Sequence, residues 1–149
     1  YAAIRRPIRD AATHDYVRIT TFVAPLTSLI PPNASYNVAQ VTVPVDDHTC
    51  MFHFIAWGDG TDVPSTAEWR RFLALTPGVD VFPERGWARL RTRDNDYLQD
   101  RNLMRAGNFT GIKGIPAQDM AMWEGMGPVA DRTAERLGAS DVAIVQWRR

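Results

Sequence analysis

Four runs in the first 57 residues are β-like, with apolar and polar positions alternating: YAAIRRPIR from Tyr1, YVRITTFVAP from Tyr16, YNVAQVTVPV from Tyr36 and HTCMFHFIAW from His48. Turn-formers separate them, among them Asp10, Pro31, Pro32, Asn33, Asp46 and Asp47. The gaps are too short for helical crossovers, so the runs predict an antiparallel meander. Alternation gathers Ala39, Val41, Val43 and Val45 on one face of the third run, and that face is expected to be buried.

Beyond residue 57 the period changes. STAEWRRFLAL opens with Ser65 and Glu68 at capping-box spacing, which predicts a helix start. Residues 77–113, rich in Gly, Pro, Asp and Arg, read as largely irregular, with a short helix around DYLQDRNLM. In GIPAQDMAMWEGMG, residues 114–127, Pro116 can open a helix, and Ile115, Asp119, Met122, Trp123 and Met126 then share one face. DRTAERLG reads as a solvated amphipathic turn with Gly138 as its C-cap, and Ser140 as the N-cap of a last helix running to Arg149. The start at Tyr1, inside a strand-like run, and the end at Arg149, inside helical periodicity, predict a chain cut within structure at both ends.

Composition narrows the class. A chain of 149 residues, 45% apolar and 23% charged, suits one ordinary globular domain. No apolar run approaches the roughly 20 residues of a membrane span. Lys plus Arg equals Asp plus Glu at 17 each, so no bulk charge draws the chain to nucleic acid or an anionic membrane. Cys50 is the single cysteine; its apolar run predicts a buried, inert thiol, and a reducing cytoplasm fits.

The chemistry concentrates on Asp119, the one acid on an otherwise apolar helix face. An ionised carboxylate out of water needs a proton, a basic side chain or a metal ion. Two readings stand at this point: a first-turn acid favoured by the helix dipole, or a metal ligand. A mononuclear iron site would add two histidines to that carboxylate. The chain holds His14, His48 and His53, and the last two, five apart in a strand, point to opposite faces and cannot converge. His48 reads as a turn residue beside Asp46 and Asp47, and His53 as a wall residue sharing a face with Met51, Ile55 and Trp57, with a substrate cavity as the lesser alternative. GNFTGIKG lacks the ending of a phosphate loop, no nucleophile elbow occurs, and Asp119 and Glu124 diverge on a helix.

The run FTGIKGIPAQDMAMWEGMGPVADRTAERLGASDVAIVQWRR, residues 109–149, resembles the C-terminal end of Rieske non-haem iron oxygenases. The group it is most similar to is the phthalate dioxygenase type of aromatic ring-hydroxylating and O-demethylating oxygenases, with its FTGI, QD, MGP, DR, E, LG and SD series. The resemblance implies an α+β, helix-grip domain: an antiparallel sheet curved around a long C-terminal helix, incomplete in this chain, with substrate between them. It implies that Asp119, the acid of the QD pair, is both catalytic and the third ligand of a mononuclear Fe(II). The family's two iron histidines and the ligands of its 2Fe–2S cluster match nothing here, so both are expected upstream of Tyr1, and residues 1–149 are read as the C-terminal part of the catalytic domain. The partners implied are an aromatic, carboxylated substrate, O₂, a reductase or ferredoxin and further copies in a trimer-based homo-oligomer in the cytoplasm. Arg5, Arg6 and Arg18 read first as surface arginines, with pairing of the substrate carboxylate as the alternative for one of them. Pocket shape, which sequence does not display, decides the substrate and whether it is dihydroxylated, monohydroxylated or demethylated. The competing reading is a non-catalytic helix-grip module binding a hydrophobic ligand, as in lipid-carrier and allergen-like proteins.

Overall fold

A computed structural model describes the backbone of residues 2–11, 14–31 and 35–149, and side chains from residue 19 onward within those ranges. His14, Arg5, Arg6, Arg18 and Asp10 therefore have undescribed side chains, and the expected turn at Pro32 and Asn33 lies outside the described residues. The content is α+β, and the chain divides into two units, residues 1–63 with 132–149, and residues 64–131.

The first unit is built on a five-stranded antiparallel sheet in chain order: β1 (Ala2–Ala11), β2 (His14–Val23), β3 (Thr27–Ile30), β4 (Asn37–Pro44) and β5 (Cys50–Trp57). The meander is as expected from the short gaps, with one strand more. β3 has only four residues between Pro25 and Pro31, too few to display alternation. Pro7 lies on the edge strand, beside an irregularity in the β1–β2 register, where its missing donor does least harm. The β4–β5 turn is closed by Asp46, whose Oδ1 accepts from the backbone N–H of His48 at 2.8 Å and of Thr49 at 2.7 Å. These bonds, the one from His48 first, hold the Asp46 carboxyl below its ordinary pKa.

The sheet register separates two faces. Thr21, Leu29, Ala39 and Ile55 are successive cross-strand partners, and Val41 faces His53, so these share one side. Phe22, Ser28, Gln40 and Phe54 share the other. The last helix, α4 (Val142–Trp147), lies against β1 and sets Trp147 edge-on to Phe22, with ring centroids 4.6 Å apart at 78°. It therefore lies on the Phe22 face. On the His53 face Ala39 is buried and Val41 and Val43 half-buried, but Leu29, Ile55 and Trp57 are exposed. Val45, expected inside, is 65% exposed because it lies past the end of β4. Cys50 is likewise exposed, contrary to the expected buried thiol, because it opens β5 at the rim of the sheet rather than sitting within it.

Two further expectations change near the C-terminus. Residues 131–138 are exposed as expected, yet Gly138 is extended (φ −100°, ψ −177°) and opens a 3₁₀ turn at Ala139–Asp141, where its N–H bonds to Asp141 Oδ2 at 2.8 Å. It starts an element instead of ending one. Ser140 falls within that turn and caps nothing; α4 follows directly, and Arg148 closes it by pairing with Glu135 at 3.1 Å.

The second unit begins with α1 (Thr66–Leu73), and its start has the expected capping box: Ser65 Oγ accepts from the Glu68 N–H, and Glu68 Oε2 accepts from the Ser65 N–H at 2.9 Å. Residues 77–113 hold more order than their composition suggests. β6 (Val81–Phe82) and β7 (Ala88–Arg89) form a hairpin, and α2 (Arg101–Arg105) is capped by Asp100. Asp80, only 4% exposed, organises the hairpin base. It accepts from Arg91 Nη1 at 2.8 Å and from the Thr76 N–H at 3.1 Å, while its own carbonyl accepts from the Leu90 N–H at 2.8 Å. Burial alone would raise its pKa, but the Arg91 hydrogen bond, the Thr76 N–H and the charges of Arg91 and Lys113 outweigh burial and hold it below 3.8.

Asp80→Ala would leave Arg91, 12% exposed, charged and without its carboxylate, and should lower the unfolding free energy by about 2–4 kcal/mol in urea denaturation. Because the folded pKa is depressed, the stabilisation by Asp80 is complete above the ordinary value of 3.8 and is lost as pH falls through the lower folded value. The stability difference between wild type and Asp80→Asn should accordingly narrow over that acid range.

Candidate functional site

The helix carrying Asp119 is α3 (Ile115–Gly125), with Pro116 in its first turn as expected. It begins where it does because of Gly114. That residue has φ +86° and ψ 128°, a conformation open in practice to glycine alone, and its Cα approaches the Leu73 carbonyl and Ala74 at the end of α1 so closely that a Cβ would collide with both. Gln118 then reaches back and donates from Nε2 to the Ile112 carbonyl at 3.0 Å. Pro116, Ala117 and Ala121 are buried, the two alanines with Ile112 and against Tyr97.

This is not the face expected to be inside. Ile115, Met122, Trp123 and Met126 are exposed, Met122 by 69%. The side that packs on Ile112 and Tyr97 is the small one, Ala117 and Ala121, so the bulky stripe lies outward. Asp119 lies between the two faces and is half-buried. It is the fifth residue of α3, beyond the first turn, so the expected helix-dipole role does not apply. Among the described residues nothing donates a hydrogen bond to it or pairs with it; Arg105 is engaged with Asn102, and Arg101 is exposed. Burial raises the pKa of its carboxyl, with no neighbouring charge to offset it.

Glu124, five residues on, is directed elsewhere. Its Oε1 accepts from Arg89 Nη2 and its Oε2 from the Tyr97 hydroxyl at 2.6 Å. Tyr97 belongs to a left-handed turn in which Asp96, Tyr97 and Leu98 have φ of 49°, 55° and 52°. For three successive non-glycine residues this conformation costs about 1–2 kcal/mol each. Neither Arg89 nor Tyr97 stands out in the sequence. The run DND before Tyr97 is a weak sign, since Asn and Asp tolerate left-handed backbone best.

His48 and His53 belong to the first unit. His48 is exposed in the β4–β5 turn, and His53 is exposed in the middle of β5. Among the described residues no three His, Cys, Asp or Glu side chains gather where one ion could bind them. An open groove of about 740 Å³ runs beside α3, lined by Tyr97, Gln99, Asp100, Ile112, Ala121 and Met122 among others, and neither Asp119 nor His53 belongs to its lining. Among the described residues no helix is long and apolar enough to cross a membrane.

Residues 1–149 match the sequence family described as "LigXa C-terminal domain like". Across its whole length the chain is 56% identical to the phthalate 4,5-dioxygenase oxygenase subunit of Pseudomonas putida. Over 91% of its length it is 34% identical to the 3-chlorobenzoate-3,4-dioxygenase oxygenase subunit of Comamonas testosteroni. The chain spans 34% of the length of each of these relatives.

Gly114→Ala adds a methyl group where Ala74 Cβ would lie only 2.7 Å away, in a backbone conformation that alanine rarely adopts. Thermal denaturation should show a loss of about 2–4 kcal/mol. Gly125→Ala, at a helical position with open space around it, should instead gain about 0.5–1 kcal/mol.

Proposed function

Because the chain belongs to the LigXa C-terminal domain-like family, we propose that it is the C-terminal part of the catalytic domain of a Rieske-type oxygenase acting on an aromatic carboxylate. The observation that carries this reading is the 56% identity sustained over all 149 residues to a phthalate 4,5-dioxygenase oxygenase subunit. The substrates in the names of both relatives are aromatic carboxylates, which supports the substrate class. The outcome is hydroxylation or O-demethylation, with electrons from a reductase or ferredoxin, in a cytoplasmic, trimer-based assembly.

In this reading Asp119 is the carboxylate ligand of a mononuclear Fe(II). Its state fits that role: a half-buried carboxylate on a fixed helix, with no protein partner among the described residues and a pKa raised by burial. A dication would hold it ionised. The two histidine ligands, and the cysteines and histidines of a 2Fe–2S cluster, come from sequence outside these 149 residues. Iron bound there would supply the activation of O₂, and the chain's own residues hold Asp119 in place. His53, which shares a sheet face with Val41, Ile55 and Trp57, is our candidate for a residue that contacts substrate, within a helix-grip architecture.

Asp119→Ala in the full-length oxygenase should remove mononuclear iron while the visible absorption of the cluster persists. Oxygenation of an aromatic carboxylate should fall by more than about 100-fold, a larger effect than losing a group that only supports a ligand. A full-length protein that copurifies with no mononuclear iron would instead favour the non-catalytic ligand-binding reading.

The 149-residue chain alone should bind Fe(II) weakly, because affinity needs imidazole and carboxylate ligands held together. Dialysis against a chelator should strip it. Stoichiometric iron that survives such dialysis would show that the ligand set is local and that the assignment of Asp119 is incomplete.

A further inference from the structure

We infer that Tyr97, Glu124 and Arg89 form a positioning clamp that fixes the rotation of α3 about its axis and thereby sets the direction of Asp119. The inference rests on the proposed role of Asp119 as a ligand and extends it to residues that never touch the ion.

Three anchors hold α3, and none of them uses Asp119. At the N-terminus Gly114 is seated on the Leu73 carbonyl, and one turn later Gln118 bonds the Ile112 carbonyl. Near the C-terminus Glu124 is gripped from two sides, by the Tyr97 hydroxyl and the Arg89 guanidinium. Five residues on an α-helix turn through about 140° from start to end, so fixing Glu124 fixes Asp119 on a different side of the axis. The first two anchors act before Asp119 in the chain; after it, the clamp joins the packing of Ala121 with Ile112 and against Tyr97 in resisting twist.

The geometry of Tyr97 supports a dedicated role. Three consecutive left-handed residues, Asp96 to Leu98, hold the ring against the Ile112–Ala117–Ala121 cluster and aim its hydroxyl at Glu124. Backbone strain of this kind persists only where the surroundings enforce it. Burial, and then the Glu124 bond, raise the pKa of the Tyr97 hydroxyl, so it remains a donor at neutral pH.

The test compares Tyr97→Phe, Glu124→Gln, Glu124→Ala and Asp119→Ala in the full-length oxygenase. Three quantities are measured: Fe(II) affinity, near-infrared magnetic circular dichroism of the bound Fe(II), and amide exchange along α3 in the iron-free protein. Tyr97→Phe keeps the ring and loses only the hydroxyl, so it carries the test if Glu124→Ala fails to fold. We expect Tyr97→Phe to weaken Fe(II) binding roughly 10- to 100-fold, to shift the ligand-field bands of the iron still bound, and to speed exchange after residue 119. Glu124→Gln, retaining one acceptor oxygen, should lie between wild type and Glu124→Ala. A purely structural role would lower stability without moving the ligand-field bands. If Asp119→Ala loses iron but Tyr97→Phe and Glu124→Gln leave affinity and spectrum unchanged, the clamp is wrong and the ligand assignment stands. If Asp119→Ala keeps its iron with an unchanged spectrum, the ligand assignment is wrong and the clamp has no ligand to position.

Discussion

The close approach of Gly114 to the end of α1 is the constraint on which the arrangement around Asp119 depends. A backbone carbonyl occupies the place where any other residue would carry its Cβ, so α3 begins at one point and in one direction. From that start Pro116, Ala117 and Ala121 are buried, the alanines with Ile112 and against Tyr97. The larger Met122, Trp123 and Met126, which follow them, are on the outer side. The buried face is thus the one whose small side chains pack on Ile112 and Tyr97, not the more hydrophobic one.

Within that frame two carboxylates of one helix meet opposite fates. Glu124 is hydrogen-bonded by a hydroxyl and a guanidinium, and such charge-assisted bonds offset the loss of solvent. Asp119 loses part of its solvent and gains no donor among the described residues. A half-buried acid without a partner is a cost that folding alone does not explain, and pKa shifts of this origin concentrate at functional positions. Asp80 shows the contrasting structural solution: more deeply buried, fully bonded, and with its pKa lowered instead of raised.

The sheet of the other unit divides its labour by face. Phe22 is packed by Trp147, whereas on the side holding His53 Leu29, Ile55 and Trp57 are exposed.

Much was legible from local chemistry. The meander followed from strand runs with short gaps, the start of α1 from Ser65 and Glu68 closing on each other, the start of α3 from Pro116, and the β4–β5 turn from Asp46. Each of these is settled by residues within a few positions of one another, which is why sequence alone determined them. The family resemblance drawn from residues 109–149 rested on the same kind of contiguous series, and it extends over the whole chain. What sequence could not supply were relations between distant residues. The start of α3 is decided by Leu73, some 40 residues earlier in the chain, its inward face by Ile112 and Tyr97, the exposure of Cys50 by where β5 begins on β4, and the direction of Glu124 by a tyrosine in a left-handed turn and an arginine on β7. Periodicity ranks faces by hydrophobicity, but a carbonyl against a glycine is a hard-sphere contact, and only the tertiary structure brings those atoms together.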